Sequence, residues 1–508
     1  MRTLFRGGVA LTPDGAADWV LVADGKVAGA GAASDEPSAA RTIDMDGAFL
    51  LPAFCDAHVH LPATGLYAAG MDFRGERSAR AILDAFADRA AHPGSILFGG
   101  NFEDPLDRPL TAGLLDAAVG DRPALLARAD MHSCVVSSAL LAELDVAGLE
   151  GVDVTDGAPT GYLREQAAGE AWRWFDASLP REQQRGAIRA AVDLAYSKGV
   201  TSVHEMYVVE WRGWDSLEVF REAVADVALE VVLYVATDDV ARVIEMGLPR
   251  IGGDWFLDGS FGSHTAWLSE PYASPPPGGS PPDGISYRDD GALLELFREA
   301  QASSLQVGVH AIGDAAIEQA ISTWEKVAAE TGDDAVRARG HRIEHFECAT
   351  DSHIERAVRL GLKASVQPAF DHYWGGTDEL YARRIGEERA LDMNRFGTMV
   401  SRGLGLGAGS DSTVTPLDPF LQMAALRDHH VPAERLDAAT ALRMHTAGSR
   451  ALAGGEPGGT IAPGQPADLV LVDRDPLTAT VEELRGTEVL GTWAAGRRVW
   501  PRAEAETA

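Results

Sequence analysis

Along most of this 508-residue chain, short apolar or β-branched runs alternate with longer Ala/Leu/Glu/Arg-rich stretches of helical character. The short runs include Val200 to Val203, Val231 to Val235, Gln306 to His310, Ala364 to Val366 and Leu404 to Ala408. Such repeated βα units predict an α/β fold with a parallel sheet, most economically a (β/α)8 TIM-like barrel. Active residues of these barrels sit at the carboxyl ends of the strands, so polar residues that close apolar runs deserve inspection.

The two ends of the chain read differently. Val20 to Ala23, then Asp24-Gly25, then Lys26 to Gly29 predicts a hairpin, and Ala467 to Val472 and Gly496 to Trp500 look alike. Neither terminal set can bury a face alone. They are expected to pair into one small composite β-sandwich domain, built from residues 1–51 and 451–508, with the barrel over 52–450. The Pro-rich stretch Pro271 to Gly284 cannot be helix or inner strand; it reads as a long surface loop, either a lid or a plain connection.

A hydrophobic share of 46% and a charged share of 24% are those of a globular protein, and the length suits a barrel plus a satellite unit. The net charge of −32, with no Lys/Arg-rich stripe, excludes nucleic acid as a partner. No apolar run has the ~20 residues of a membrane span, and Met1 to Ala10 holds no signal-peptide core. A soluble, cytoplasmic protein acting on a small molecule, with no membrane partner, is expected; a homodimer is left open. Cys55, Cys134 and Cys348 form no C-x-x-C pair, so they read as packing residues, without a disulfide framework or a cysteine zinc site.

Chemistry concentrates at run ends. Asp56-Ala57-His58-Val59-His60 closes the apolar run from Ala48 to Phe54. On a strand its i, i+2 spacing turns both imidazoles to one side, where they can grip one metal. His310 and His345 close later runs, and Asp411 ends Gly407-Ala408-Gly409-Ser410-Asp411. A lone histidine of this kind is more often a hydrogen-bonded core residue; four at strand ends followed by an aspartate reverse that reading.

The order H-x-H, His, His, Asp resembles the amidohydrolase superfamily. The words Leu51-Pro52-Ala53-Phe54-Cys55-Asp56-Ala57-His58-Val59-His60, Asp258-Gly259-Ser260-Phe261-Gly262-Ser263, Val309-His310-Ala311-Ile312-Gly313-Asp314 and His341-Arg342-Ile343-Glu344-His345 are similar to amidohydrolase family 3, more narrowly to its branch of N-substituted formamide deformylases. Gly459 to Leu469 is a further hallmark, and the similarity covers nearly the whole chain. The resemblance implies that His58 and His60 bind the more buried metal, that His310 and His345 complete the site, and that Asp411 binds metal and shuttles the proton. Imidazoles and carboxylates suit zinc or a similar divalent ion, one or two per chain, which lowers the pKa of bound water to near 7. The implied enzyme is a metal-dependent hydrolase that cleaves an amide-type C–N bond, of an N-acyl or N-formyl amine, with a metal-activated hydroxide. A deaminase, isomerase or decarboxylase on the same scaffold is the nearest alternative, and a catalytically inactive binding protein the more distant one.

Substrate contacts are expected from Asn101, Glu103, Asp130, His132, Asp258, His264 and Trp267. Met131 departs from the family's Asp-Gly-His word, and His264 stands where an arginine is expected, which weakens the case for a substrate carboxylate. Trp255, Phe256, Phe261 and Trp267 hint at an apolar or aromatic substrate group. His204, Glu205 and Asp314 suit a bracing role as well as a catalytic one. Many relatives carry a carboxylated lysine that bridges two ions near the end of strand four, where this chain has Asp254. Aspartate has the shorter reach, at ~1.5 Å per bond, so Asp254 is expected to fall short unless the backbone moves inward. Glu165, in Gly161-Tyr162-Leu163-Arg164-Glu165, is expected to supply any acidic bridge, with helix capping or arginine pairing as its plainer role.

Overall fold

The computed structural model describes residues 2–92, 96–129, 132–276, 281–454 and 458–502. Eight parallel strands alternate with helices: β1 (Phe54–Val59), β2 (Val200–Val208), β3 (Glu230–Ala236), β4 (Arg250–Phe256), β5 (Gln306–Ala311), β6 (Arg342–His345), β7 (Lys363–Val366) and β8 (Gly405–Ala408). They form two sheets, β3-β2-β1 and β4-β5-β6-β7-β8. β3 packs beside β4, and Val59 at the end of β1 bridges in parallel to Ser412 just beyond β8. All nine residues of β2 and all six of β1 and β5 are buried, as strands covered by helices on their outer face must be. Helix Asp314–Thr331 supplies one such cover through Ile317, Ile321 and Trp324.

One buried histidine in this packing carries a measurable signature. His341 stacks on Trp324 with ring centroids 3.7 Å apart, accepts the Val307 N–H at Nδ1 (3.0 Å) and reaches Gln301 Oε1 from Nε2 (2.9 Å). Burial, helped by Arg339, pushes its pKa down to about 3. The unfolded chain protonates this imidazole near pH 6.5 and the folded chain does not, so its contribution is full above pH 6.5 and drains away towards pH 3. The urea midpoint should therefore fall between pH 7 and pH 5, and less steeply in His341→Asn; equal slopes in the two proteins would contradict this.

The terminal strands share one sheet. Its order is Arg497–Trp500, Val489–Ala494, Leu469–Val472, Phe49–Pro52, Arg2–Thr12, Gly15–Ala23 and Lys26–Gly31, with Arg41–Asp44 added beside Arg2–Thr12. The antiparallel pairing of Leu469–Val472 with Phe49–Pro52 stitches the two ends together. The expected hairpin turns at Asp24 and Gly25, with φ of 49° and 78°, the two left-handed residues of a type I′ turn. Phe5 packs edge-on against Trp493 across this sheet at 5.0 Å.

A second sheet is inserted between β1 and β2. Six strands, from Met71–Asp72 to Ala158–Arg164, enclose apolar clusters of their own and carry Glu103, Arg128 and His132 to the mouth of the site. The described part of the Pro-rich loop is pinned to the body: Tyr272 OH donates to Ala266 O (2.9 Å) and Ala273 N to Arg384 O (2.8 Å). Among the described residues no helix is long and apolar enough to cross a membrane.

Candidate metal centre

Strand alternation sends His58 and His60 to the same side of β1, and each imidazole is held by its Nδ1. His58 Nδ1 donates to Glu344 Oε2 (2.9 Å) and His60 Nδ1 to Met206 O (2.9 Å). His345 Nδ1 lies 2.7 Å from Gln367 Oε1, and His310 Nδ1 a looser 3.3 Å from Asp258 Oδ1. Anchoring one nitrogen aims the other, so Nε2 of His58, His60 and His345 meets the carboxylates at the centre. The anchor of His58 is itself braced: Arg342 grips Glu344 through Nε to Oε1 (2.6 Å) and Nη2 to Oε2 (2.7 Å), and its Nη1 lies 2.8 Å from His204 Nδ1. Burial opposes ionisation of Glu344, but Arg342 and His58 hold its pKa below the ordinary carboxylate value. A charged, fully bonded pair is the form in which such groups survive in a core.

Two aspartates face these imidazoles. Asp411, at φ 50° just beyond β8, donates its N–H to His58 O (2.8 Å) and sets Oδ1 3.2 Å from His60 Nε2 and 3.5 Å from His58 Nε2. Asp254 places Oδ2 3.4 Å from His60 Nε2 and Oδ1 3.5 Å from His345 Nε2. Burial would raise the Asp254 pKa, yet His345 and His60 hold it well below the usual value.

Two sets of donors emerge among the described residues, His58 with Asp254 and His345, and His58 with His60 and Asp411, each with its atoms within 4.8 Å of one another. Among the described residues, His58 Nε2, Asp254 Oδ1 and Asp411 Oδ1 are buried without a hydrogen-bond partner. Orphaned buried polar atoms are costly. A divalent ion among them would satisfy all three, and the nitrogen and oxygen donors suit it.

Asp254 corrects one expectation. Its short side chain reaches the centre because the backbone does the reaching. Gly252 and Gly253 precede it at φ of 82° and 81°, and there β4 advances four residues, Gly252 to Phe256, while β5 advances two, Gly308 to His310. A Cβ on Gly252 would lie 2.1 Å from Gly308 O, and one on Gly253 2.5 Å from Met206 Sδ, so only glycine permits this inward bulge.

Glu165 corrects the other. It opens helix Glu165–Ser178 at the rim of the inserted sheet and is absent from both donor sets. Its Oε2 is committed to His132 Nδ1 (3.2 Å) and to the Tyr287 hydroxyl (3.5 Å).

Above the donors opens a cavity of about 120 Å³, lined by His60, His310, His345, Asp411, Glu103 and His132 among the expected residues. Others fall outside that lining. Asn101 Nδ2 donates to Asp72 Oδ1 (2.8 Å) within the inserted sheet. Asp258 is a loop anchor, accepting the N–H groups of Ile312 (3.0 Å), Gly313 (2.7 Å) and Trp267 (2.9 Å). His264 Nε2 meets Ser274 Oγ at 2.9 Å, and Trp267 lines a separate surface pocket with Ser269 and Asp314. Asp130 lies outside the described residues, as does Met131. His204, Glu205 and Asp314 make bracing bonds, Glu205 Oε2 accepting Leu61 N (2.7 Å) and Asp314 Oδ1 accepting Ser269 N (2.9 Å).

Sequence reasoning missed Arg128, Trp211, Glu347, Phe370, Trp374 and Tyr381, all in the cavity lining. Only Glu347, two residues past the end of β6, carried a positional signal. Burial lifts its pKa to about 7, with the Tyr381 hydroxyl and His345 pulling the other way.

A family model described as Amidohydrolase family matches residues 41–500. The Bacillus subtilis (strain 168) protein YtcJ, named as an amidohydrolase, is 28% identical over 99% of this chain and 100% of its own length. An N-substituted formamide deformylase of Arthrobacter pascens is 26% identical over 94% of both chains. The crystal structure of an uncharacterized metal-dependent hydrolase from Pyrococcus furiosus superposes with a TM-score of 0.76 at 28% identity, covering 94% of this chain and all of the other.

Proposed function

Because the chain belongs to the amidohydrolase family, we propose that it hydrolyses the amide-type C–N bond of a small N-acyl or N-formyl amine in the cavity above His58, His60 and Asp411. The carrying observation is the convergence of three partnerless buried donor atoms, on His58, Asp254 and Asp411, beneath an aromatic-lined cavity. The similarity to a formamide deformylase along most of both chains supports the substrate class.

In this reading His58, His60, Asp254, His345 and Asp411 would hold one or two divalent ions, with zinc the natural choice for such donors. Such an ion would supply Lewis acidity there, lowering the pKa of water and polarising a carbonyl. Asp411 accepts the proton from the attacking water and returns it to the leaving nitrogen, which must depart as an amine. His310, with Nδ1 3.3 Å from Asp258 Oδ1 and its ring centroid 4.5 Å from that of His345, would offer the lone pair of Nε2 as a further ligand. Arg342 and Glu344 keep the His58 tautomer fixed.

The proposal extends to architecture. The eight strands close into a (β/α)8 barrel over residues 52–450, supported by the Val59–Ser412 bridge and the packing of β3 on β4. Residues 1–51 and 451–508 make the composite β sandwich, supported by the sheet the two ends share. Among the described residues no disulfide joins Cys55, Cys134 or Cys348, which fits a reducing, cytoplasmic compartment.

The test is a screen of N-acyl and N-formyl amines with zinc-loaded protein, following carboxylate and amine together. Chelation should abolish turnover and added ion restore it. Release of ammonia, or a product isomeric with the substrate, would favour the alternative chemistries; metal content well under half an equivalent after chelator-free purification would count against the site.

A further inference from the structure

The cavity has two unlike walls. On the His310 side Phe256 lies 4.7 Å from that imidazole and stacks on Trp211 at 5.0 Å, an apolar surface. On the His345 side Phe370 lies parallel to the histidine at 6.0 Å, with Trp374 4.8 Å from Phe370 and Tyr381 6.4 Å from Trp374. Set into this second wall is Glu347, 3% exposed. Its carboxylate accepts one hydrogen bond, from the Tyr381 hydroxyl at 2.5 Å. No lysine or arginine pairs with it among the described residues, which distinguishes it from Glu103 and Arg128, whose charges are matched at 2.7 Å by Arg77 and at 3.5 Å by Asp104.

A carboxylate removed from water and given one neutral donor lacks most of the partners that buried charges require. The aromatic rings that line the same cavity are the other half of a cation site, since a cation gains from ring quadrupoles as well as from the carboxylate. An anionic substituent would be repelled there, whereas the chain's net charge of −32 draws cations towards the protein. We propose that Glu347, Phe370, Trp374 and Tyr381 form a subsite for an organic cation, so that the substrate is an amide bearing a second, protonated amine or guanidinium away from the scissile bond. This rests on the amide-hydrolase reading for the identity of the reaction, and on the wall alone for the cation.

Binding without turnover separates the two. Zinc-loaded enzyme is titrated calorimetrically at pH 7.5 with 2-phenylethylammonium and with its neutral isostere 2-phenylethanol. The ammonium should bind at least about tenfold more tightly. Glu347→Gln keeps the volume and can still accept the Tyr381 hydrogen bond, and should bring the two ligands within about twofold; Trp374→Leu should weaken the ammonium by about fivefold and serves as the second arm if Glu347→Gln does not fold. Equal affinities in the native protein would overturn the subsite; a preference that survives Glu347→Gln would overturn it too and would point to the metal-site carboxylates instead. A preference lost in Glu347→Gln, in an enzyme that hydrolyses no N-acyl or N-formyl amine, would overturn the reaction and leave the subsite standing.

Discussion

Asp411→Asn is expected to lower turnover by about 10³-fold while most of the bound metal stays in place, because general acid–base groups of this kind contribute on the order of 10² to 10⁴. The carboxamide keeps the shape and the backbone bond to His58 O, but it cannot take a proton from water at neutral pH. Four candidate ligands, His58, His60, Asp254 and His345, remain. Turnover and elemental analysis on the same preparation separate the two effects. Activity within about tenfold of the native enzyme would remove Asp411 from proton transfer.

The second large effect distinguishes two carboxylates. Asp254→Ala deletes a side chain within 3.5 Å of both His60 Nε2 and His345 Nε2, and should weaken metal binding by at least about 100-fold, the upper end of what even outer groups cost. Glu165→Gln should leave metal content unchanged, since its carboxylate is occupied by His132 and Tyr287. Competition with a chelator of known affinity reads both. If Glu165→Gln lost the metal and Asp254→Ala kept it, the inward bulge of β4 would be wrongly drawn.

The pattern of what sequence could and could not reveal follows from the range over which each interaction acts. His58 and His60 could be singled out because a period of two on a strand is a local rule, and His310, His345 and Asp411 because strand ends are marked by where apolar runs stop; the structure groups His58, His60, His345 and Asp411 with Asp254 and leaves His310 outside both donor sets, on the cavity wall. The hairpin at Asp24-Gly25 needed only the conformational preference of two residues. Asp254 was misjudged because reach was counted along the side chain; the relevant geometry lay in Gly252 and Gly253, whose left-handed conformation shows only against Gly308, Met206 and Tyr234. Glu165 sits in a word similar to the family's, but its surroundings are set by the inserted sheet, whose pairing brings together residues distant in sequence. The second cavity wall was illegible for the same reason: Glu347, Phe370, Trp374 and Tyr381 meet only after β6 and β7 have folded and the helices Pro368–Trp374 and Leu380–Ile385 that follow are in place.

The bulge at Gly252-Gly253 has a chemical consequence for how the centre is assembled. A carboxylated lysine is made after synthesis, by capture of dissolved carbon dioxide on an uncharged amine, and such a ligand exists only as fast and as fully as that reversible reaction permits. Here an ordinary aspartate stands in the corresponding stretch, its oxygens already among the histidines. All the acidic donors are then genetically encoded and present when the chain leaves the ribosome, so loading with ion should proceed equally well in buffers stripped of bicarbonate.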